Sequence, residues 1–287
     1  MRRRYCIAYP SLLIVAVLAS CTRLALHQSA ATTANGEVYA IKYGTLRNFP
    51  VASLIAGADT SRHLDVALTI WLIKRSDGRN VLLDAGFYRD KFMARWKPGD
   101  YQKPSDAVRA LGLKPEEITD IIISHVHWDH ADGADLFPNA RIWIQREEYA
   151  HHVGENGRSL DRAADSLDAV MLFGLNQAGR VRLIDGDAQE IMSGITVYTG
   201  GKHTFASEYA TVRTTRSTIV LASDNMYLYE NLAKHLPIAQ TLDIASNLRA
   251  QDRMTQLASE RRLIVPGHDP EVFTRFPLPG RGVARIE

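Results

Sequence analysis

The sequence predicts a single α/β domain. Short apolar runs of strand length recur between more polar, helix-like stretches, and no internal repeat, charge block or second composition regime divides them. Composition agrees: of 287 residues, 46% are apolar and 23% charged, ordinary globular values that exclude a disordered, collagenous or solenoid-like chain. The length suffices to bury a large core. Lysine plus arginine number 34 and aspartate plus glutamate 32, a formal charge of +2. Without Arg2, Arg3 and Arg4, which precede an export-type apolar run, the charge becomes −1, which gives no electrostatic case for nucleic acid. Both cysteines, Cys6 and Cys21, lie in the first 21 residues. The body therefore has no thiol, and any metal there must be held by nitrogen and oxygen.

At the amino end, three arginines are followed by the uniformly apolar run Leu12 to Ala19, too short to span a bilayer comfortably. Its end, Leu18-Ala19-Ser20-Cys21, resembles the bacterial lipoprotein box, in which the cysteine is lipidated and becomes the first residue. The expectation is a lipoprotein-type signal over residues 1–20, a small, polar linker over 21–35 and a folded body over 36–287. The body would then be exported and held in the periplasm or at the cell surface, touching the membrane only through the lipid on Cys21. An ordinary cleaved signal or short anchor is the alternative.

Within the body, Val66, Leu68, Ile70 and Leu72 alternate, Ser76 to Arg79 supplies turn chemistry, and Val81-Leu82-Leu83 resumes: a β-hairpin. Strand candidates follow at Ile121 to Ile123, Arg141 to Ile144, Ile195 to Tyr198, Thr218 to Leu221 and Leu263 to Val265, mostly rich in β-branched residues. Helices are expected over Ser105 to Leu111, Leu160 to Phe173 and Asp243 to Ser259, the last with Ile244, Leu248, Met254, Leu257 and Ala258 as its apolar face. The 160–173 helix reads as core or as a lid. His151-His152, after Glu147-Glu148, reads as the solvated face of an exposed helix.

The densest chemistry is Ser124-His125-Val126-His127-Trp128-Asp129-His130, directly after a strand candidate. If extended, the segment points His125, His127 and Asp129 one way, and His130 joins them only if the chain turns, as Asp132-Gly133 allows. Other strand-like runs also end in donors: Gly200-Gly201-Lys202-His203, Ser223-Asp224 and Pro266-Gly267-His268. Loops leaving the carboxyl ends of strands gather on one edge of an α/β sheet, so five histidines and two aspartates can converge there. Seven donors exceed one tetrahedral zinc and suit two adjacent ions sharing a carboxylate.

In this order, His-x-His-x-Asp-His, a later His, an Asp and a final His, the chain resembles the metallo-β-lactamase superfamily from about residue 37 onward. The resemblance implies an αββα sandwich with the site at one edge. It implies that His125, His127 and His203 hold one zinc ion, that Asp129, His130 and His268 hold a second, and that Asp224 bridges them; other divalent ions suit the same donors. Asp84, in Leu82-Leu83-Asp84-Ala85-Gly86, matches an early strand-end aspartate that steadies the metal loop without binding metal. The chain departs from the common Gly-His-Thr-Pro-Gly around the third histidine, having Gly201-Lys202-His203-Thr204-Phe205.

Asp224 separates the chain from the classical β-lactamases of the superfamily, which lack a bridging carboxylate. His127, where a glutamate would occur, separates it from the diiron redox branch. Ala222 to Asn231 resembles the N-acyl homoserine lactonase branch, whose tyrosine three residues after the bridging aspartate is matched by Tyr227. The resemblance thus implies a hydrolase in which metal-bound hydroxide opens a small lactone or related cyclic ester. Tyr227 would stabilise the oxyanion, and Asp129 would carry a proton to the leaving alkoxide. Two readings remain beside it: a glyoxalase II-like thioesterase or β-lactamase-like hydrolase, and a non-catalytic metal-binding lipoprotein. Trp128 either packs beneath the metal loop or lines the pocket. The sequence is silent on acyl-chain preference and oligomeric state.

Overall fold

A computed structural model describes residues 1–2 and 36–286. The expected lipoprotein-type signal beyond Arg2, with Cys6 and Cys21, and the expected linker to residue 35 lie outside the described residues. Among those described, no helix is long and apolar enough to cross a membrane.

Among the described residues, twelve strands form two sheets. The first contains β1 (Gly36–Pro50), β2 (His63–Arg75), β3 (Asn80–Leu83), β4 (Asp120–Ile122), β5 (Arg141–Gln145), β6 (Val181–Ile184) and β12 (Val283–Arg285), ordered β12-β1-β2-β3-β4-β5-β6. The second contains β7 (Gln189–Met192), β8 (Ile195–Thr199), β9 (Glu208–Arg213), β10 (Thr218–Ser223) and β11 (Ile264–Pro266), ordered β11-β10-β9-β8-β7. β2 and β3 form the expected hairpin, pairing Trp71 with Leu83 and Lys74 with Asn80. From β3 through β6 the pairing is parallel; β3 and β4 are buried on both faces because both are covered, whereas β6 leaves Arg182 exposed.

Side-chain alternation assigns the layers. Trp71, Ile73, Val81, Leu83 and Ile122 meet Ile195, Val197, Val212, Leu221 and Val265 between the sheets. Ile70, Leu72, Leu82 and Ile121 point the other way and pack with Phe92 and Leu172 from helices, while Tyr209, Val220 and Ile264 pack under Ala250 and Met254 on the outer face of the second sheet. This is the αββα sandwich.

Helix assignments differ in detail from expectation. The first is a short helix Pro104–Ala107 continued as a 3-10 turn to Leu111. The second begins only at Ser166, capped by Asp165, and runs to Gln177. Leu160, Leu167 and Val170 are exposed, and the buried face is Ala169, Leu172 and Leu175. The third, Ile244–Leu257 with Asp243 as N-cap, leaves Ile244 exposed. Its buried face includes Asn247 and Gln251, whose amides donate to the carbonyls of Asn225 and Leu236. Met254 is buried and Leu257 and Ala258 pack against the same cluster, as expected, while hydrogen-bonded Asn247 and Gln251 complete the buried face.

Candidate metal centre

The carboxyl ends of β3, β4 and β10 deliver Asp84, Ser124 and Ser223 to one edge of the sandwich. Asp84 and Ser223 both adopt positive φ, 62° and 46°, a conformation that costs energy and persists where surroundings enforce it. Here it is enforced by a buried network. Asp84 accepts hydrogen bonds from the Ser124 amide at 2.9 Å, the Ser223 hydroxyl at 2.8 Å and His130 Nδ1 at 2.8 Å. Asp84 thus holds the loop in the way expected for an aspartate outside the donor set.

The donor-rich segment is not extended throughout. After His127 the chain turns into the short helix Trp128–Ala131, which brings Asp129 and His130 round together. The turn therefore precedes Asp132-Gly133. Gly133 serves a different purpose: a Cβ there would lie 2.2 Å from the Ala85 carbonyl oxygen, so only glycine lets the helix end approach β3's exit.

All seven donors meet. His125, His127, His203 and Asp224 form one group, and Asp129, His130 and His268 another. His127 Nδ1 is 3.1 Å from His125 Nε2 and 2.9 Å from His203 Nε2. Asp224 Oδ2 is 3.7 Å from His125 Nε2, 3.4 Å from His203 Nε2 and 3.3 Å from His130 Nε2, and its Oδ1 is 3.0 Å from His268 Nε2. Asp224 therefore stands between the two groups.

Hydrogen bonds on the far sides of the rings fix which nitrogens face inward. His203 Nδ1 donates to the Gln240 carbonyl at 2.7 Å and His268 Nδ1 to the Ala67 carbonyl at 2.9 Å. His130 Nδ1 donates to Asp84, and His125 Nδ1 to Ser124 Oγ at 2.9 Å. Each leaves Nε2 as a lone pair aimed at the centre. Three inward nitrogens so close would repel one another unless a cation lay among them. Ligands about 2.0–2.1 Å from a tetrahedral zinc stand about 3.3 Å apart, the spacing these atoms show. His130 Nε2 and Asp224 Oδ1 are also buried without hydrogen-bond partners, orphans that a bound ion would satisfy. The residues fit a metal.

Electrostatics agree. Burial pushes His127 and His203 down to about 4, and His125 well below its ordinary range, so all three are neutral ligands at pH 7. Burial opposes charge at His130 and His268, but Asp224 and Asp129, with Asp84 at His130, together outweigh it and both are pushed up; a cation bound there would take the place of that proton. Asp224 itself is held well down by those two histidines against the effect of burial.

Tyr227 is buried beside this centre, its hydroxyl 3.4 Å from His203 Nδ1. That nitrogen already donates to Gln240, so the tyrosine proton is free to point into the cavity. Burial, then Asp224 and Asp129, push the hydroxyl well above its ordinary value. The cavity, about 310 Å³, is lined by His127, Asp129, Asp224, Tyr227 and His268 and walled by Leu46, Phe49, Leu54, Val66, Trp96 and Trp128. Trp128 does both things open to it: it stacks on Trp96 at 5.0 Å and on Phe92 at 5.3 Å and lines the cavity. A larger cavity of about 830 Å³, lined by Lys74, Arg75, Arg216 and Arg285 among others, lies beside the β2–β3 and β9–β10 turns and includes none of these donors.

Several contributors carry no sequence signal. The Tyr43 hydroxyl donates to the Asp129 carbonyl. Asn225 accepts from the Gly201 amide at 2.7 Å and from Ser207 Oγ, which accepts from the His203 amide. These contacts settle the unusual loop around His203 without a proline. His152 corrects the expected solvated pair: His151 is exposed, but His152 is buried and bonded to Asp161 at 2.8 Å.

The Metallo-beta-lactamase superfamily profile matches residues 66–268. The chain belongs to this superfamily. Within it, the chain is similar to the N-acyl homoserine lactonase of Bacillus cereus, 30% identical over 57% of this chain and 61% of that protein. It is 26% identical to N-acyl homoserine lactonase AiiB of Agrobacterium fabrum over 75% and 83% of the respective chains. The chain thus spans about three fifths of the Bacillus protein's length. A solved N-acyl homoserine lactone hydrolase with N-hexanoyl-L-homoserine at its catalytic metal centre superposes with a TM-score of 0.70 at 21% identity, covering 86% of this chain and 98% of that one. AidC, a dizinc quorum-quenching lactonase, gives 0.62 at 15%, covering 88% and 94%. These superpositions show the superfamily fold.

Proposed function

We propose that the chain is an exported dinuclear-metal hydrolase that opens lactone rings, with N-acyl homoserine lactones as the substrate class. The observation that carries this reading is Asp224 standing between two donor groups, with Tyr227 and an apolar wall of Phe49, Leu54, Trp96 and Trp128 lining the same cavity. His125, His127 and His203 with Asp224 would hold one ion, and Asp129, His130 and His268 with Asp224 the other. Bound zinc supplies Lewis acidity and a water acidified toward a pKa of about 7.

The chain's own groups do the rest. The walls formed by Phe49, Leu54, Trp96 and Trp128 take up an acyl chain and exclude water from the reacting ester. Tyr227, whose hydroxyl burial pushes well above its ordinary value, donates a hydrogen bond to the oxygen on which negative charge develops. Asp129, whose carboxyl is pushed up by burial, carries a proton to the departing alkoxide. The similarity to the Bacillus and Agrobacterium lactonases supports the same substrate class. Export, and a lipid on Cys21, rest on Arg2 to Arg4, the apolar run to Ala19 and the Leu18 to Cys21 sequence.

The test is a panel of homoserine lactones, aliphatic esters, a thioester and a β-lactam offered to the zinc-loaded protein. Lactone opening with the others left intact is the expected profile. Cleavage of thioester or β-lactam with lactones untouched would overturn it, as would zinc uptake with no hydrolysis at all.

A further inference from the structure

Glu148 sits in the helix Arg146–His152 that follows β5, has no exposed surface, and is used by nothing described above. An isolated buried carboxylate is costly, yet this one is fully engaged. Its Oε1 accepts from the Val126 amide at 3.2 Å and from the Thr204 hydroxyl at 2.6 Å, and its Oε2 accepts from the Ala206 amide at 2.7 Å. Val126 lies between His125 and His127, and Thr204 follows His203. One side chain thus grips both backbone segments that carry the three imidazoles of the first donor group. Behind it, His152 Nε2 is 3.5 Å from Oε1, and His152 Nδ1 is held by Asp161.

We propose that Glu148 is a positioning residue for metal binding: its carboxylate sets the separation between the loop bearing His125 and His127 and the loop bearing His203. The inference rests on reading those histidines as ligands. A carboxylate suits the task because both of its oxygens accept. Glutamine has the same shape but presents an NH2 to a donor, so one loop must let go. Residues that orient ligands typically change metal affinity about 10- to 100-fold when altered.

The experiment is competition for zinc between the full chain and a chromophoric chelator, with the melting temperature of the metal-free protein recorded alongside. Glu148→Gln is expected to weaken one of the two zinc equivalents about 10- to 100-fold. Glu208→Gln, an equally buried glutamate bonded to Gln145 and touching neither loop through its side chain, should bind as the wild type does. Thr204→Val, which removes the 2.6 Å contact and keeps the carboxylate, should show a smaller loss of the same equivalent, and carries the test should Glu148→Gln fail to fold. Wild-type zinc affinity in Glu148→Gln, or in Thr204→Val where only that variant folds, would overturn the proposal. So would a lowered metal-free melting temperature with affinity unchanged, which would mark Glu148 as a strut. A wild type that binds zinc but opens no lactone would sink the substrate reading and leave this inference standing. A wild type that takes up no zinc would end both.

Discussion

Tyr227 and Asp168 show burial holding a proton in place on two different groups. At Tyr227 it keeps a proton on a hydroxyl that faces the cavity. Removing one such donor typically costs about 2.7–4 kcal/mol of barrier, or about 10²- to 10³-fold in kcat. Steady-state kinetics of Tyr227→Phe should show that fall, with zinc content unaltered. At Asp168 burial, with the Asp132 carboxylate beside it, pushes the carboxyl up to about 9, although Arg89 lies 3.1 Å away. A folded-state value above the unfolded one means that the native state binds the extra proton. The associated stability is present below about pH 4 and is lost as pH rises through 9. Asp168→Asn cannot ionise, so chemical denaturation from pH 5 to 9 should give a flatter profile than the wild type. A parallel decline in both would show that other groups set the slope.

At the scale of elements, the site depends on loops leaving parallel strands and on one tight approach. The Gly133 Cα lies so close to the Ala85 carbonyl that an added methyl must displace backbone. The Ala85 amide in turn donates to the His130 carbonyl at 2.8 Å. Gly133→Ala should therefore cost about 1–3 kcal/mol, the usual penalty of overpacking, and should weaken zinc binding through the shifted His130; denaturation and zinc titration read the two effects separately. These elements were legible in the sequence to differing degrees. The apolar runs before Asp84, Ser124, Asp224 and His268 announce their strands because both faces are buried. β1 does not, because Lys42, Gly44 and Arg47 interrupt it and its register shifts twice. The helix around residues 160–173 was misjudged because Leu167 and Val170 mimic a core stripe while facing solvent. Its true start is set by the Asp165 side chain capping the Leu167 amide.

For the whole molecule, all seven donors were readable because their residue types are rare in such density and their positions follow strands. Their convergence was an inference from sheet topology that the two-sheet sandwich bears out. What stayed hidden were side chains whose types are common and whose importance comes from long-range contact: Tyr43 against Asp129, Asn225 beneath the Gly201 loop, and Glu148 across two loops. The central claim is that the seven donors cage two ions on either side of Asp224. Anomalous diffraction at the zinc edge from crystals of the zinc-loaded protein tests it most directly. The account predicts two peaks about 3.5–4 Å apart flanking the Asp224 carboxylate, whereas a single peak, or none within reach of His130 and His268, would contradict it.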